Sequence, residues 1–175
     1  MGVDIHLILA NSDELSRACR GWREALPRPV VLEMQNPFTH AVEQVTSWDP
    51  SPFASFPDDT ASTPDLSGLV TVFHEGLHPT HIERLGSLLD AGHFVLVPAL
   101  IPPPGANTIE AHALSRALLE RLAEAGADAA ATADAWSSAA LAEREWCARV
   151  LTDLVDLASK ALAEGRRVYA FIEES

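Results

Sequence analysis

The chain has 175 residues, 47% apolar and 21% charged, enough for one globular domain with a real core and no need of disulfide or metal staples. Its 25 acids against 12 bases leave a net charge of −13. That balance argues against nucleic-acid phosphates and anionic membrane surfaces as partners, and favours a basic protein or a cation.

Val3, Ile5, Leu7 and Leu9 alternate with Asp4, His6 and Ile8, which is the period of a strand. The same ten residues carry no basic leader and are too short to span a membrane, so a cytoplasmic location is expected. Asn11 with Glu14 three residues on is a helix cap, and the stripe Leu15, Ala18, Cys19, Trp22 and Leu26 predicts a first helix reaching to about Leu26, where Pro27 and Pro29 stop it. Cys19 and Cys147 fall inside predicted amphipathic helices, far apart in sequence, and read as buried, reduced thiols.

Val30 to Gln35 and His40 to Ser47 predict a hairpin turned by Asn36-Pro37-Phe38-Thr39. Proline fixes φ there, and asparagine tolerates unusual backbone angles. The run Val30-Val31-Leu32-Glu33-Met34-Gln35-Asn36-Pro37-Phe38-Thr39, followed after a strand by Trp48-Asp49-Pro50, resembles a segment of small bacterial proteins of the toxin-immunity type, which guard a cell against its own secreted toxin. The likeness covers some twenty residues and carries no functional residue with it. What it implies is a protein-binding role.

From about 48 to 67 the chain gathers four prolines with Asp49, Asp58, Asp59 and Asp65 and shows no periodicity, so it reads as a long acidic loop within a single domain spanning 1–175. Loops of this length in compact domains are usually functional or disordered. Its aromatics, Trp48, Phe53 and Phe56, predict that it packs on the body and displays its carboxylates. The charge pattern points the same way: from Pro29 to Ser115 there are ten acids and one base, Arg84.

Leu69 to Phe73 reads as a strand, and it runs directly into His74-Glu75-Gly76-Leu77-His78, the H-E-x-x-H of zinc metalloproteases. That chemistry needs both histidines one helical turn apart, with the glutamate beside the metal-bound water. Gly76 inside the sequence and Pro79 directly after it oppose a helix, since a proline there would clash with the carbonyl of Glu75. The helix is expected to begin afterwards, with Thr80 and Glu83 as a capping box. The histidines then lie on a strand-to-helix loop, where His74, His78 and His81 remain an alternative Zn²⁺ set for a metal-binding protein or hydrolase with Glu75 as base.

Downstream, His93 to Pro98 reads as a strand, completing a strand, helix, strand unit expected to pair in parallel. Asn107 and Glu110 read as the cap of a helix ending near Gly126. A further helical stretch opens at Asp128, is broken near Ser137-Ser138 and continues to Gly165, with Trp136, Ala140, Cys147, Leu151, Leu154, Ala158 and Leu162 facing inward. Arg167 to Ile172 is a last strand. About six strands and four helices in this order predict an α+β domain built on one mixed sheet, with both terminal strands in its interior. No P-loop, Gly-rich dinucleotide motif or G-x-S-x-G occurs. The functional expectation is therefore a non-enzymatic binding protein without a cofactor, whose site is Asp49, Phe53, Phe56, Asp58, Asp59 and Asp65 and whose partner is a basic protein.

Overall fold

The computed structural model describes residues 2–25, 29–48, 56–92, 94–105 and 109–174, and for 29–32 and 45–48 the backbone. Among these residues eight strands and five α-helices follow in the order β1 (Val3–Ala10), α1 (Ser12–Ala18), β2 (Arg23–Glu24), β3 (Pro29–Gln35), β4 (Val42–Trp48), β5 (Val70–Phe73), α2 (Pro79–Leu88), β6 (Leu96–Ile101), β7 (Ile109–Leu114), α3 (Arg116–Ala125), α4 (Ala129–Ala140), α5 (Arg144–Glu164) and β8 (Arg167–Glu174). Six strands form one sheet in the order β2-β6-β7-β8-β1-β5, and β3 and β4 form a ribbon of their own. The α+β reading holds.

Every ladder among the described residues is antiparallel, where a mixed sheet was expected. The strands on either side of α2 do run in the same direction. They are not neighbours, because β1, β8 and β7 lie between β5 and β6. The terminal strands are interior and paired over their whole length, from Val3 opposite Glu174 to Ala10 opposite Arg167.

Alternation along these two strands sorts the core into two layers. Ile5, Leu7 and Leu9 with Val168, Ala170 and Ile172 face α2, α3, α4 and α5, and Trp136, Leu151 and Leu154 pack into that layer. Ile8, Ala10, Tyr169 and Phe171 face the other way, onto Leu15 and Ala18 of α1, onto Cys19 at its C-terminal cap and onto Trp22. The stripe read from the sequence runs over two helices: Trp136 of α4 and Cys147, Leu151, Leu154 and Ala158 of α5 are buried, with Ala140 of α4 and Leu162 of α5 partly so.

Three local expectations are corrected. Helix α1 ends at Cys19 rather than near Leu26, because Gly21 takes φ +81 and turns the chain into β2; Trp22 is buried all the same, from beyond the helix. Asn107 lies outside the described residues, and Glu110 caps no helix: Ile109–Leu114 is an interior strand, and the following helix is capped by Ser115, whose side chain accepts from the N–H of Leu118 at 3.2 Å. The break between α4 and α5 falls at Leu141, in the left-handed region at φ +54, just beyond Ser137-Ser138. No helix among the described residues is long and apolar enough to cross a membrane.

Candidate functional sites: an acidic loop and a histidine–tryptophan cluster

The described part of the acidic loop, from Phe56 on, is tied to the chain around α1 by its backbone. Ala61 N donates to Arg20 O at 2.9 Å and Asp65 N to Ala18 O at 2.8 Å. In return Arg20 Nε donates to Asp59 O at 2.9 Å and the Trp22 indole to Ala61 O at 2.6 Å. Gly21 permits the approach, since a Cβ there would run into the backbone of Thr60. Leu66 and Leu69 complete the second core layer, and the Arg23 guanidinium lies 5.6 Å from the Phe56 ring centroid. Packing of the loop on the body by an aromatic therefore holds for Phe56; Asp49 and Phe53 lie outside the described residues.

The three described carboxylates differ in what they do. Asp65 folds the loop: its Oδ1 accepts from Ser67 N at 3.1 Å and Ser67 Oγ at 2.6 Å, and these bonds hold its carboxyl below the usual range. Asp58 and Asp59 are exposed and have no ion-pair partner among the described residues. The acids of the middle segment do not gather on one face, because the loop lies on the α1 side of the sheet while Glu83 is on α2, in the opposite layer.

The second cluster surrounds the H-E-x-x-H sequence, which is not helical. Leu77 N donates to His74 O at 3.2 Å across a turn in which Gly76 takes φ +79, and α2 begins only at Pro79. The cap is His78 rather than Thr80, because proline at the first helical position forces the preceding residue into the extended conformation a cap requires. His78 Nδ1 accepts from Thr80 N at 3.2 Å, and His81 Nδ1 accepts from His78 N at 3.0 Å. The box is thus built of two histidines.

Tryptophans fix this turn from the far helices. Trp146 Nε1 donates to Glu75 O at 3.1 Å and Trp136 Nε1 to His81 O at 2.9 Å, and the His81 ring meets Trp146 edge-on at 5.2 Å. His74 turns away to α5, with its Nε2 2.7 Å from Asp153 Oδ2. The rings of His78 and His81 are 6.3 Å apart and each uses Nδ1 on the helix start, so His74, His78 and His81 are not drawn to one point. Among the described residues no group of three or more His, Cys, Asp or Glu is close enough to hold a metal ion. The couple of His74 and Asp153 has the form of an oriented imidazole, yet no described hydroxyl or thiol bonds to it as a nucleophile would. Both thiols are buried elsewhere, Cys19 pushed up to about 12 and Cys147 upward, each by desolvation.

No protein-family model, curated protein or solved structure matches the chain.

Proposed function

We propose that this is a non-enzymatic binding protein that recognises a basic protein partner through exposed carboxylates, and that it acts in the bacterial cytoplasm as an immunity protein against a toxin. The observation that carries this reading is where charge is left unneutralised. In the last third of the chain five of the eleven acids pair with a neighbouring base: Glu120 with Arg116, Glu124 with Arg121, Asp134 with Arg144, Asp156 with Lys160 and Glu164 with Arg166. In the middle the sole base, Arg84, donates to the carbonyl of Ala139 instead of to an acid. Asp58 and Asp59 are exposed and without an ion pair among the described residues, on a loop pinned at several points, with Arg20 bound to the backbone of Asp59 rather than to its carboxylate. Such a field accelerates encounter with a cationic surface more than it adds to final affinity.

The test is co-purification with the product of the adjacent reading frame, together with growth rescue from that product. Replacing Asp58 and Asp59 by Asn should slow association at low salt and flatten its dependence on ionic strength. Rescue and association kinetics untouched by the double change would refute charge steering by this loop.

The competing reading is a metal-binding protein or hydrolase on His74, His78 and His81, and it requires the three rings to converge, with His74 free to ligate only through Nδ1 while its Nε2 stays on Asp153. Metal content of protein purified without a histidine tag, and its response to His78→Ala, separates the two.

A further inference from the structure

The ribbon of β3 and β4 belongs to neither site. Its strands pair with each other from Pro29 opposite Trp48 to Gln35 opposite Val42, and among the described residues with no strand of the main sheet. An isolated two-stranded ribbon is marginal in water, and its free end should fray unless something fixes it. Here the tip is fixed. Asn36 Oδ1 accepts from Phe38 N at 2.9 Å and Thr39 N at 3.3 Å, while Asn36 N donates to Ala41 O at 2.8 Å and His40 N to Asn36 O at 2.9 Å. Asn36 Nδ2 also donates to Glu43 Oε1 at 3.2 Å.

This order presents apolar side chains to solvent. Phe38 is 91% exposed at the point, with Met34 55% and Val42 66% exposed just behind it. Met34 stands opposite Glu43, and Val42 stands opposite Gln35 and diagonal to Glu33, so within 33–35 and 42–44, the stretch next to the tip, each face carries one apolar side chain and one acid. No lysine or arginine occurs between Pro29 and Trp48. An aromatic point with apolar flanks on both faces is a wedge, and a wedge buries its surface in a cleft rather than on a flat patch.

We infer that the hairpin tip is a docking element whose Phe38, backed by Met34 and Val42, enters an apolar cleft rimmed by lysine or arginine on the partner, with Glu33 and Glu43 meeting that rim. The inference rests on the reading above that the partner is basic. A second copy of this chain is the poorer occupant, since it brings the same net charge of −13 and the same acidic ribbon.

The test places a photo-crosslinking phenylalanine analogue at position 38 in the intact protein in living cells, and in a parallel strain at position 94, where Phe94 is also 78% exposed but stands on the stretch leading into β6. The expected result is one adduct specific to position 38, to a protein of positive net charge, at a peptide with apolar residues beside lysine or arginine. With that protein purified, Phe38→Ala should weaken Kd more than about tenfold while Phe94→Ala leaves it unchanged. No adduct, or one formed equally from position 94, overturns the docking role of the tip; an adduct specific to position 38 but to an acidic or neutral protein, or to a second copy only, overturns the inference of a basic-rimmed cleft on a partner. The basic-partner reading is judged separately, by the salt dependence of association in the Asp58→Asn, Asp59→Asn protein.

Discussion

The indole of Trp146 donates to the carbonyl oxygen of Glu75 at 3.1 Å, so that α5 holds in place the turn that carries the H-E-x-x-H sequence, 71 positions away in the chain. Trp136 holds the next stretch in the same way through His81 O, but from full burial. The two indoles should therefore differ in cost. Trp146→Phe loses one hydrogen bond at a site water can reach, about 1 kcal/mol. Trp136→Phe leaves a cavity and a shielded carbonyl without its donor, about 2–4 kcal/mol. Urea melts of the two variants give the ranking, and equal losses would mean that the turn is not held from the helices.

The cap of α2 yields a prediction of opposite character at two neighbouring residues. His78 supplies the accepting side chain, so His78→Ala should cost about 1 kcal/mol. Thr80 sits inside the first turn, exposed, with its hydroxyl on the His78 ring at 2.9 Å. Thr80→Ala gains helix propensity as it loses that contact, and should change stability by less than about 0.5 kcal/mol. Thermal or urea unfolding of both variants checks it; a larger loss from Thr80→Ala would return the cap to that residue.

Why the sequence revealed some elements and hid others has a local explanation in each case. Strands β1 and β8 and helix α5 show clear periods because each packs a full face against a core layer. Strand β7 has the alternation too, Ile109, Ala111 and Ala113 on one face against Glu110 and His112 on the other. Its alanines are strong helix formers, and the spacing of Asn107 and Glu110 imitates a cap, so local propensity pointed to a helix where pairing with β6 and β8 decided otherwise. Strand β2 has two residues and no period to read. At the histidine cluster, Gly76 and Pro79 disclosed that H-E-x-x-H is not helical. The engagement of His74 by Asp153 and of the turn by two distant tryptophans is tertiary, and no spacing in the sequence encodes it. The division of the acids between two sides of the sheet is likewise a consequence of topology.

Burial of both thiols carries a chemical prediction. With Cys19 pushed up to about 12 and Cys147 raised, each by desolvation, neither forms thiolate at neutral pH and neither is reachable. A thiol-reactive disulfide reagent at pH 7.5 should find no fast-reacting group in the folded protein and two after denaturation. A fast-reacting thiol in the native protein would contradict the packing around α1 or α5.

Gly86 lies on the buried side of α2, and a Cβ at that position would collide with one methyl group of Val95, Cγ1, and crowd the other at 3.2 Å. Helix propensity alone makes Gly→Ala favourable by about 1 kcal/mol. Overpacking a closed contact costs about 1–3 kcal/mol, so Gly86→Ala should destabilise on balance. The double change Gly86→Ala, Val95→Ala opens the space again and should recover part of the loss, which a double-mutant cycle measures. Strict additivity would show that the two residues do not touch.

His81 links the cluster to pH. Its imidazole is held below the ordinary histidine value by desolvation first, then by His78 and Arg84, and its Nδ1 accepts from His78 N, a bond that a proton on that nitrogen abolishes. In the unfolded chain the group takes up its proton near the ordinary histidine value of 6.5, while the folded protein resists it to lower pH. The unfolded state then binds more protons in that window, so stability rises with pH there. The contribution of His81 is fully present above the unfolded value and is lost as pH falls from it through the lower folded one. His81→Gln keeps an accepting oxygen and removes the titration. Urea melts at pH 7.5 and 5.5 should therefore show a smaller loss of stability on acidification in His81→Gln than in the parent. An equal or larger loss in the variant would assign the pH dependence to other groups and remove His81 as the residue that ties this helix start to pH.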